Sequence, residues 1–181
     1  MKALIYEGVE TVVYRDVPDI TARDGEHLIR IEAVGICGSD MHAYLGHDAR
    51  RPAPLILGHE AAGVVQGGPM DGTRVTINPL VTCGTCPACK AARENLCPTR
   101  QIISMEPRPG AFAQYVSMPG SNLVTVPNAV PLDKASLAEP LPRRDWMCRS
   151  AKTGLRSAKR EGRASSSNMS SRRLSSPAPR P

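Results

Sequence analysis

The chain has 181 residues, a hydrophobic fraction of 41% and a formal net charge of +6, enough for one large or two small domains with a real core. Residues 1–141 hold 12 Lys and Arg against 15 Asp and Glu, whereas residues 142–181 hold 11 against 2, so the basic excess sits in the C-terminal stretch and gives no ground for reading the whole chain as a nucleic-acid binder. No run approaches 18 apolar residues, and Met1 to Tyr6 meets Glu7 and Gly8 before an apolar stretch develops, so neither a membrane span nor a secretory signal is expected.

The first third reads as β-structure. Segments 3–6, 11–16 and 27–34 are short, rich in β-branched residues and broken by Glu7-Gly8, Pro18-Asp19 and Arg23-Asp24-Gly25. Part of the 28–34 run alternates apolar with polar, as a strand with one buried face does. Ser39-Asp40 is suited to cap a short helix through Leu45 that Gly46 ends. Further strands are expected at 61–65, 74–77, 112–118 and 123–126, and a short helix at 132–138, closed by Pro140. Many short strands at regular spacing indicate a small barrel rather than a parallel sheet.

Segment 82–98 has no hydrophobic period and is crowded with Cys, Gly and Pro. Within it, Cys83, Cys86 and Cys89 are spaced so that three thiolates can turn around one ion, and Cys97 can close a tetrahedron. All-sulfur tetrahedral coordination suits zinc, and binding it would fold a loop that lacks its own core. An iron–sulfur run would bring its fourth cysteine sooner, and disulfides would need an oxidising compartment. Short metal-ligand spacings without export features favour the cytoplasm.

A second group is dispersed: Cys37 in Gly35-Ile36-Cys37-Gly38-Ser39-Asp40-Met41-His42, and His59-Glu60 in Gly58-His59-Glu60-Ala61-Ala62-Gly63. A lone cysteine is most often a small buried apolar residue, and a His-Glu pair on a loop is most often a surface pair. Spacing alone does not establish that they converge on one ion with a position left open for substrate.

These stretches, with Gly72-Thr73-Arg74-Val75, the four-cysteine lobe, Gly110-Ala111-Phe112-Ala113-Gln114-Tyr115-Val116 and Ala138-Glu139-Pro140-Leu141, stand in one order over residues 1 to about 141. Together they resemble the N-terminal catalytic domain of the medium-chain, zinc-dependent dehydrogenases, most of all the sorbitol, threonine and polyol-phosphate branch. The resemblance implies a mainly β, GroES-like small barrel with short helices and a structural zinc lobe at Cys83, Cys86, Cys89 and Cys97. It implies that Cys37 and His59 are catalytic zinc ligands, and that Glu60 is the adjacent ligand or a carboxylate exchanging with water. Glu139 stands where alcohol dehydrogenases proper carry a cysteine, and would bind zinc directly or through its water. Ser39 matches the hydroxyl that relays the substrate proton, a role compatible with capping, and His42 would pass it to solvent. Zinc would lower the pKa of a small alcohol or polyol, and hydride would go to NAD or NADP held by a second domain. Tyr44, Leu45 and Phe112 are candidates for the substrate wall. Family members are oligomeric, and no membrane or specific nucleic-acid partner is implied.

After Leu141 the match stops. Residues 142–181 carry nine serines and scattered prolines with no apolar period, and hold one of the six aromatic residues, Trp146; that composition is expected to be disordered. Nothing there reads Gly-x-Gly-x-x-Gly, so the nucleotide-binding Rossmann half is expected to be absent. The expected organisation is an incomplete catalytic domain over 1–141 and a tail over 142–181 that is out of frame, a truncation product or an assembly error. Such a chain is expected to be inactive alone. The competing readings are a stand-alone zinc module whose basic tail touches nucleic acid, and a zinc-free relative such as a quinone reductase, against which the full set of Cys, His and Glu residues argues.

Overall fold

The computed structural model describes residues 1–141; the expectations for the tail, including disorder and nucleic-acid contact, lie outside the described residues. In chain order the elements are β1 (Lys2–Gly8), β2 (Thr11–Asp16), β3 (Glu26–Gly35), α1 (Gly38–Tyr44), β4 (Leu55–Ile56), β5 (Glu60–Gln66), β6 (Arg74–Ile77), β7 (Leu80–Val81), α2 (Pro87–Lys90), β8 (Gln101–Ile102), β9 (Tyr115–Pro119), β10 (Leu123–Thr125) and α3 (Leu132–Ala135). Single 3-10 turns stand at Gly68–Met70, Glu94–Leu96, Gly120–Asn122 and Ser136–Ala138. The described residues are therefore mainly β with short helices, as expected.

The strands form a five-stranded sheet in the order β10-β6-β5-β3-β9, a three-stranded sheet β2-β1-β4 and the ribbon β7-β8. Every pair is antiparallel. Residues 112–114, expected as the start of a strand, instead join the two larger sheets. Leu4 N–H donates to the Phe112 carbonyl, Gln114 N–H to the Lys2 carbonyl, and Ile31 N–H to the Gln114 carbonyl. This segment satisfies backbone groups on both sheets and curls one toward the other, so only Tyr115–Pro119 remains for a regular ladder with β3.

The main core lies on the five-stranded sheet: Ile29, Ala61, Val65, Val75, Ile77, Ile103, Ala111, Val116 and Met118 are buried together. Each large member stabilises the fold by about 1.5–3 kcal/mol relative to exposure. The alternation of β3 breaks for an identifiable reason. Ile31 pairs with Gly63 but Ala33 pairs with Ala62, so Glu32 is an extra, bulged residue. The bulge reverses which face later side chains take, and Val34 rather than Ala33 joins Ile29 and Ile31 against the core.

β5 is central and buried on both faces: Ala61 and Val65 belong to the main core, while Ala62 packs with Val126 and Ala135. A strand covered on both sides needs small residues where neighbours come close. At Gly63 an added Cβ would run into the Arg30 carbonyl of β3, which is backbone and cannot turn aside.

Three details depart from expectation. The helix cap is Cys37, not Ser39-Asp40: Cys37 keeps an extended backbone with φ −78° and ψ 153°, and α1 begins at Gly38. The β4, β7 and β8 pairs, two residues long each, were not legible as strands. The expected 132–138 helix is one α-turn followed by a 3-10 turn.

Gly63→Ala is expected to destabilise the chain by about 1–3 kcal/mol or more, because the overpacked atom is backbone. The urea midpoint of unfolding measures it; an unchanged midpoint would mean that β3 and β5 can separate freely.

Candidate metal centres

The four-cysteine lobe grows from the β7-β8 ribbon, whose pairs Leu80–Ile102 and Val81–Gln101 hold the two ends of the loop together. Cys86 caps α2, accepting the Cys89 N–H on its sulfur at 3.5 Å, with Pro87 in the first helical turn. Cys86 N–H in turn donates to the Cys83 sulfur at 3.3 Å. These bonds turn the spacing of cysteines into a claw, and Cys97 arrives from the 3-10 turn Glu94–Leu96.

The Sγ–Sγ distances are 3.9 Å for Cys83–Cys89, 3.5 Å for Cys86–Cys89 and 3.6 Å for Cys97–Cys83. A tetrahedron with metal–sulfur bonds of ~2.3 Å has edges of about 3.8 Å. The thiols thus fit one zinc ion, and they are well outside the ~2.05 Å of a disulfide. Crowding divides their titration. Backbone N–H groups of Thr85 and Cys86 draw Cys83 down, while burial and its neighbour Cys86 push Cys89 up. Of the four, only Cys97 is buried, so the lobe has little apolar packing of its own.

The second cluster is set by strand register. Gly35, the last residue of β3, pairs with Glu60, the first of β5. Cys37 lies two positions past one strand end and His59 one position before the other, so the ladder itself delivers them to the same place. The ligand atoms of Cys37, His59 and Glu60 all lie within 4.8 Å of one another. Glycine leaves room beside them: a Cβ on Gly35 would meet the Glu60 carboxylate and displace it from its place in the cluster. Residues 110–112 brace the approach to His59, with Ala111 N–H donating to the Gly58 carbonyl at 2.8 Å and Phe112 N–H to the Leu57 carbonyl at 2.9 Å.

Beneath the cluster is Asp40, 3% exposed. Its carboxylate accepts from Cys37 N–H at 3.0 Å and from Gly58 N–H at 3.2 Å, and lies 3.6 Å from His59 Nδ1. Burial works to raise the Asp40 pKa, but the His59 ring and the two N–H groups outweigh it and hold the carboxyl below its ordinary value. Burial likewise works to lower His59, and Asp40, assisted by Cys37, overcomes it and lifts the ring to about 8. The Ser104 hydroxyl also faces His59 Nδ1, at 3.5 Å. With Nδ1 thus occupied, Nε2 is the nitrogen left for a ligand.

Of the other sequence-predicted residues, Ser39 is half-buried in the first turn of α1, and His42 is exposed in its last turn with its ring 6.1 Å from that of His47. Glu139 is outside the 4.8 Å set. Glu139 is exposed at the surface, yet partial desolvation raises its pKa, with His59 acting against and Glu60 with that rise, which places it in the electrostatic reach of both. Tyr44 and Phe112 line an apolar cavity with Ile36, Met41 and Leu57, beside Asp40; Leu45 is not part of that lining. Neither the supporting role of Asp40 nor that of Ser104 had a legible signal: Asp40 stands three residues after the cap, but only the structure makes Cys37 that cap.

Comparison with known proteins places these clusters in a family. Residues 23–128 match the alcohol dehydrogenase GroES-like domain. The chain is 38% identical to the sorbitol dehydrogenase of Bacillus subtilis over 149 residues, covering 77% of this chain and 42% of that protein. It resembles the structure of an alcohol dehydrogenase from Escherichia coli CFT073 in complex with NADH, with a TM-score of 0.67 and 33% identity over 77% of this chain and 42% of that one. It also resembles the galactitol-1-phosphate dehydrogenase of Escherichia coli, with a TM-score of 0.70 and 26% identity over the same shares. The chain thus spans about two fifths of the length of the relatives it matches.

In the chain stripped of metal by a chelator, His59 is expected to titrate at about 8, and in Asp40→Asn to fall toward or below the ordinary ~6.5. A raised histidine contributes stability below its unfolded pKa that is lost as pH rises through the folded one. Thermal stability of the stripped chain is therefore expected to decline between about pH 6.5 and 8, and Asp40→Asn to remove that decline. Imidazole proton NMR and melting curves measure the two effects; a His59 pKa unmoved by the substitution would exclude Asp40 as its partner.

Proposed function

The chain belongs to the alcohol dehydrogenase family through its GroES-like domain, and on that footing we propose that residues 1–141 are the metal-binding catalytic half of a zinc-dependent oxidoreductase that takes a secondary alcohol or polyol to the ketone with NAD or NADP. The meeting of Cys37, His59 and Glu60 at the shared ends of β3 and β5, apart from the four-thiol lobe, is the observation that carries this reading. Three mixed donors leave a position for substrate, whereas four thiolates close their site. The lobe is the structural centre and the strand-end cluster the catalytic one. Zinc at the latter would supply Lewis-acid chemistry, polarising the hydroxyl of a bound alcohol and easing loss of its proton.

The chain's own residues divide the remaining work. Asp40 fixes the ring of His59 and, through the Cys37 N–H, the cap from which the thiol projects. Ser39 and His42 are three apart on α1 and so share a face. Ser39 takes the substrate proton, and His42, exposed, exchanges it with water. Glu139, drawn between the charges of His59 and Glu60, serves the centre from outside the three-ligand set. The apolar cavity bounded by Tyr44 and Phe112, which Asp40 also lines, is our candidate for the carbon skeleton of the substrate.

The common nicotinamide-binding fold is built of parallel βαβ units. All strand pairs among the described residues are antiparallel, so residues 1–141 hold no such unit, and we assign the cofactor to polypeptide outside them. The similarity to a dehydrogenase solved with NADH supports a nicotinamide as the hydride acceptor.

Two measurements test this function. Mass spectrometry under native conditions is expected to find two zinc ions per chain, one lost in Cys97→Ser and the other in Cys37→Ser. A single ion, insensitive to Cys37, would remove the catalytic centre. With zinc, NAD or NADP and a panel of polyols, the 181-residue chain is expected to give no turnover above background, since residues 1–141 bring the metal ligands but no parallel βαβ unit; robust reduction of the cofactor would overturn that division.

A further inference from the structure

Arg51 is buried, 5% of its side chain exposed, in the loop between α1 and β4. Its Nε donates to the Ser104 carbonyl at 3.0 Å, and its Nη1 to the Ser39 carbonyl at 3.3 Å and to the Asp48 carboxylate at 2.8 Å. Asp48 is itself fixed by Arg50, whose Nε lies 2.8 Å away. The guanidinium is thus paired and satisfied, as a buried charge must be.

Its two carbonyl partners have something in common. Ser39 is two residues from Cys37, in the first turn of the helix that Cys37 caps. Ser104 is wholly buried, turns its hydroxyl to His59 Nδ1 at 3.5 Å, and holds φ at +66°, a left-handed conformation that a serine keeps only when its surroundings enforce it. One rigid fork therefore spans the arm that presents the thiol and the turn that buttresses the imidazole. These segments are far apart in sequence, and no strand pairing joins them directly.

We propose that Arg51 is a positioning residue for the Cys37–His59–Glu60 centre, its guanidinium fixing the separation of the Ser39 and Ser104 backbones and through them the geometry at which the cysteine and histidine meet a metal. The role rests on the reading that those three residues hold an ion. Planarity is what qualifies arginine: its donors are set in one plane at fixed angles, whereas the three rotatable donors of a lysine ammonium would hold the two carbonyls at no fixed separation. Groups bonded directly to a metal ligand commonly alter metal affinity by about 10–100-fold; Arg51 acts one bond further out, through Ser39 and Ser104, so a smaller change is expected. The four-thiol lobe is held by the β7-β8 ribbon and its own N–H···S bonds, and on that side Arg51 reaches only Ser104, past the end of that ribbon, so the lobe is the comparison site.

The test uses the 181-residue chain, freed of metal and titrated with cobalt(II) against a competing chelator, following thiolate-to-cobalt absorption and the d–d bands. Wild type, Cys37→Ser, Arg51→Met and Arg51→Lys are compared. Wild type is expected to bind two ions and Cys37→Ser one, which upholds the centre independently of Arg51. Arg51→Met is expected to keep the four-thiolate ion at unchanged affinity, and to bind the second about 3–10-fold more weakly with altered d–d bands. Arg51→Lys, which keeps the charge and decides the matter if the methionine variant does not fold, is expected to lose affinity at the second site alone. Unchanged affinity and spectrum there in either folded variant would overturn the role of Arg51 and leave the centre standing. Equal loss at both sites with a lowered melting temperature would make Arg51 a general stabiliser and overturn it too. Two ions retained in Cys37→Ser would instead overturn the centre itself.

Discussion

The register of the β3–β5 ladder is the constraint on which the rest depends. Gly35 opposite Glu60 brings together the ends of two strands whose neighbouring residues carry the thiol, the imidazole and the carboxylate. A slip of one residue would turn every β5 side chain to the opposite face, sending Ala62 to the main core and Val65 away from it. Slippage is opposed from both sides, because β5 is buried on both faces and its contact with β3 at Gly63 leaves no room for a side chain. The bulge at Glu32 then sets the parity of the last residues of β3, so the same local irregularity that keeps Val34 in the core also decides how the chain leaves β3 toward Cys37. Packing energy in the sheet is in this way converted into precision at the strand ends.

The two clusters are built on opposite physical terms. The catalytic candidate is supported from below by buried, hydrogen-bonded charge, with Asp40 bonded to the backbone on both sides of the cluster. The lobe has no such floor. Its residues are mostly exposed, Leu96 at 55% included, and its order comes from short N–H···S bonds and the two-residue ribbon beneath. Metal affinity would there be folding energy outright, while at the strand ends the frame stands first and an ion would be received into it.

What the sequence made legible was local. β-Branched runs with turn residues between them gave β1, β2, β3, β5 and β6 to within about two residues, the error usual at element ends. The cysteine spacing of the lobe was read directly, since its geometry is nearly all within one short loop. The convergence of Cys37 with His59 was not readable from spacing, because it depends on a ladder register that sets Gly35 against Glu60 across a long stretch of chain; the family resemblance supplied it instead. Segment 112–114 has the apolar residues of a strand, yet its hydrogen bonds run to two different sheets, a choice made by tertiary neighbours rather than by propensity. Cys37 displaced Ser39 as the cap for a similar reason. The Asp40 carboxylate is already committed to Gly58 and His59, and the helix starts where that commitment requires.

Glu139 shows how charge can close such a site from a distant stretch of chain. It follows the 3-10 turn Ser136–Ala138 as its cap, and α3 before that turn packs over β5 through Ala135 and Ala62. Its carboxyl feels His59 and Glu60 with opposite sign while partial desolvation raises its pKa. A second acid beside Glu60 is unfavourable unless positive charge stands near both. His59, kept protonated to about pH 8 by Asp40, supplies part of that charge without a metal, and a divalent cation would supply more while releasing the histidine proton. The acids, the thiol and the imidazole are therefore mutually compatible in two states, one proton-bound and one metal-bound. The exchange of one for the other would fall on His59, whose Nδ1 already faces Asp40.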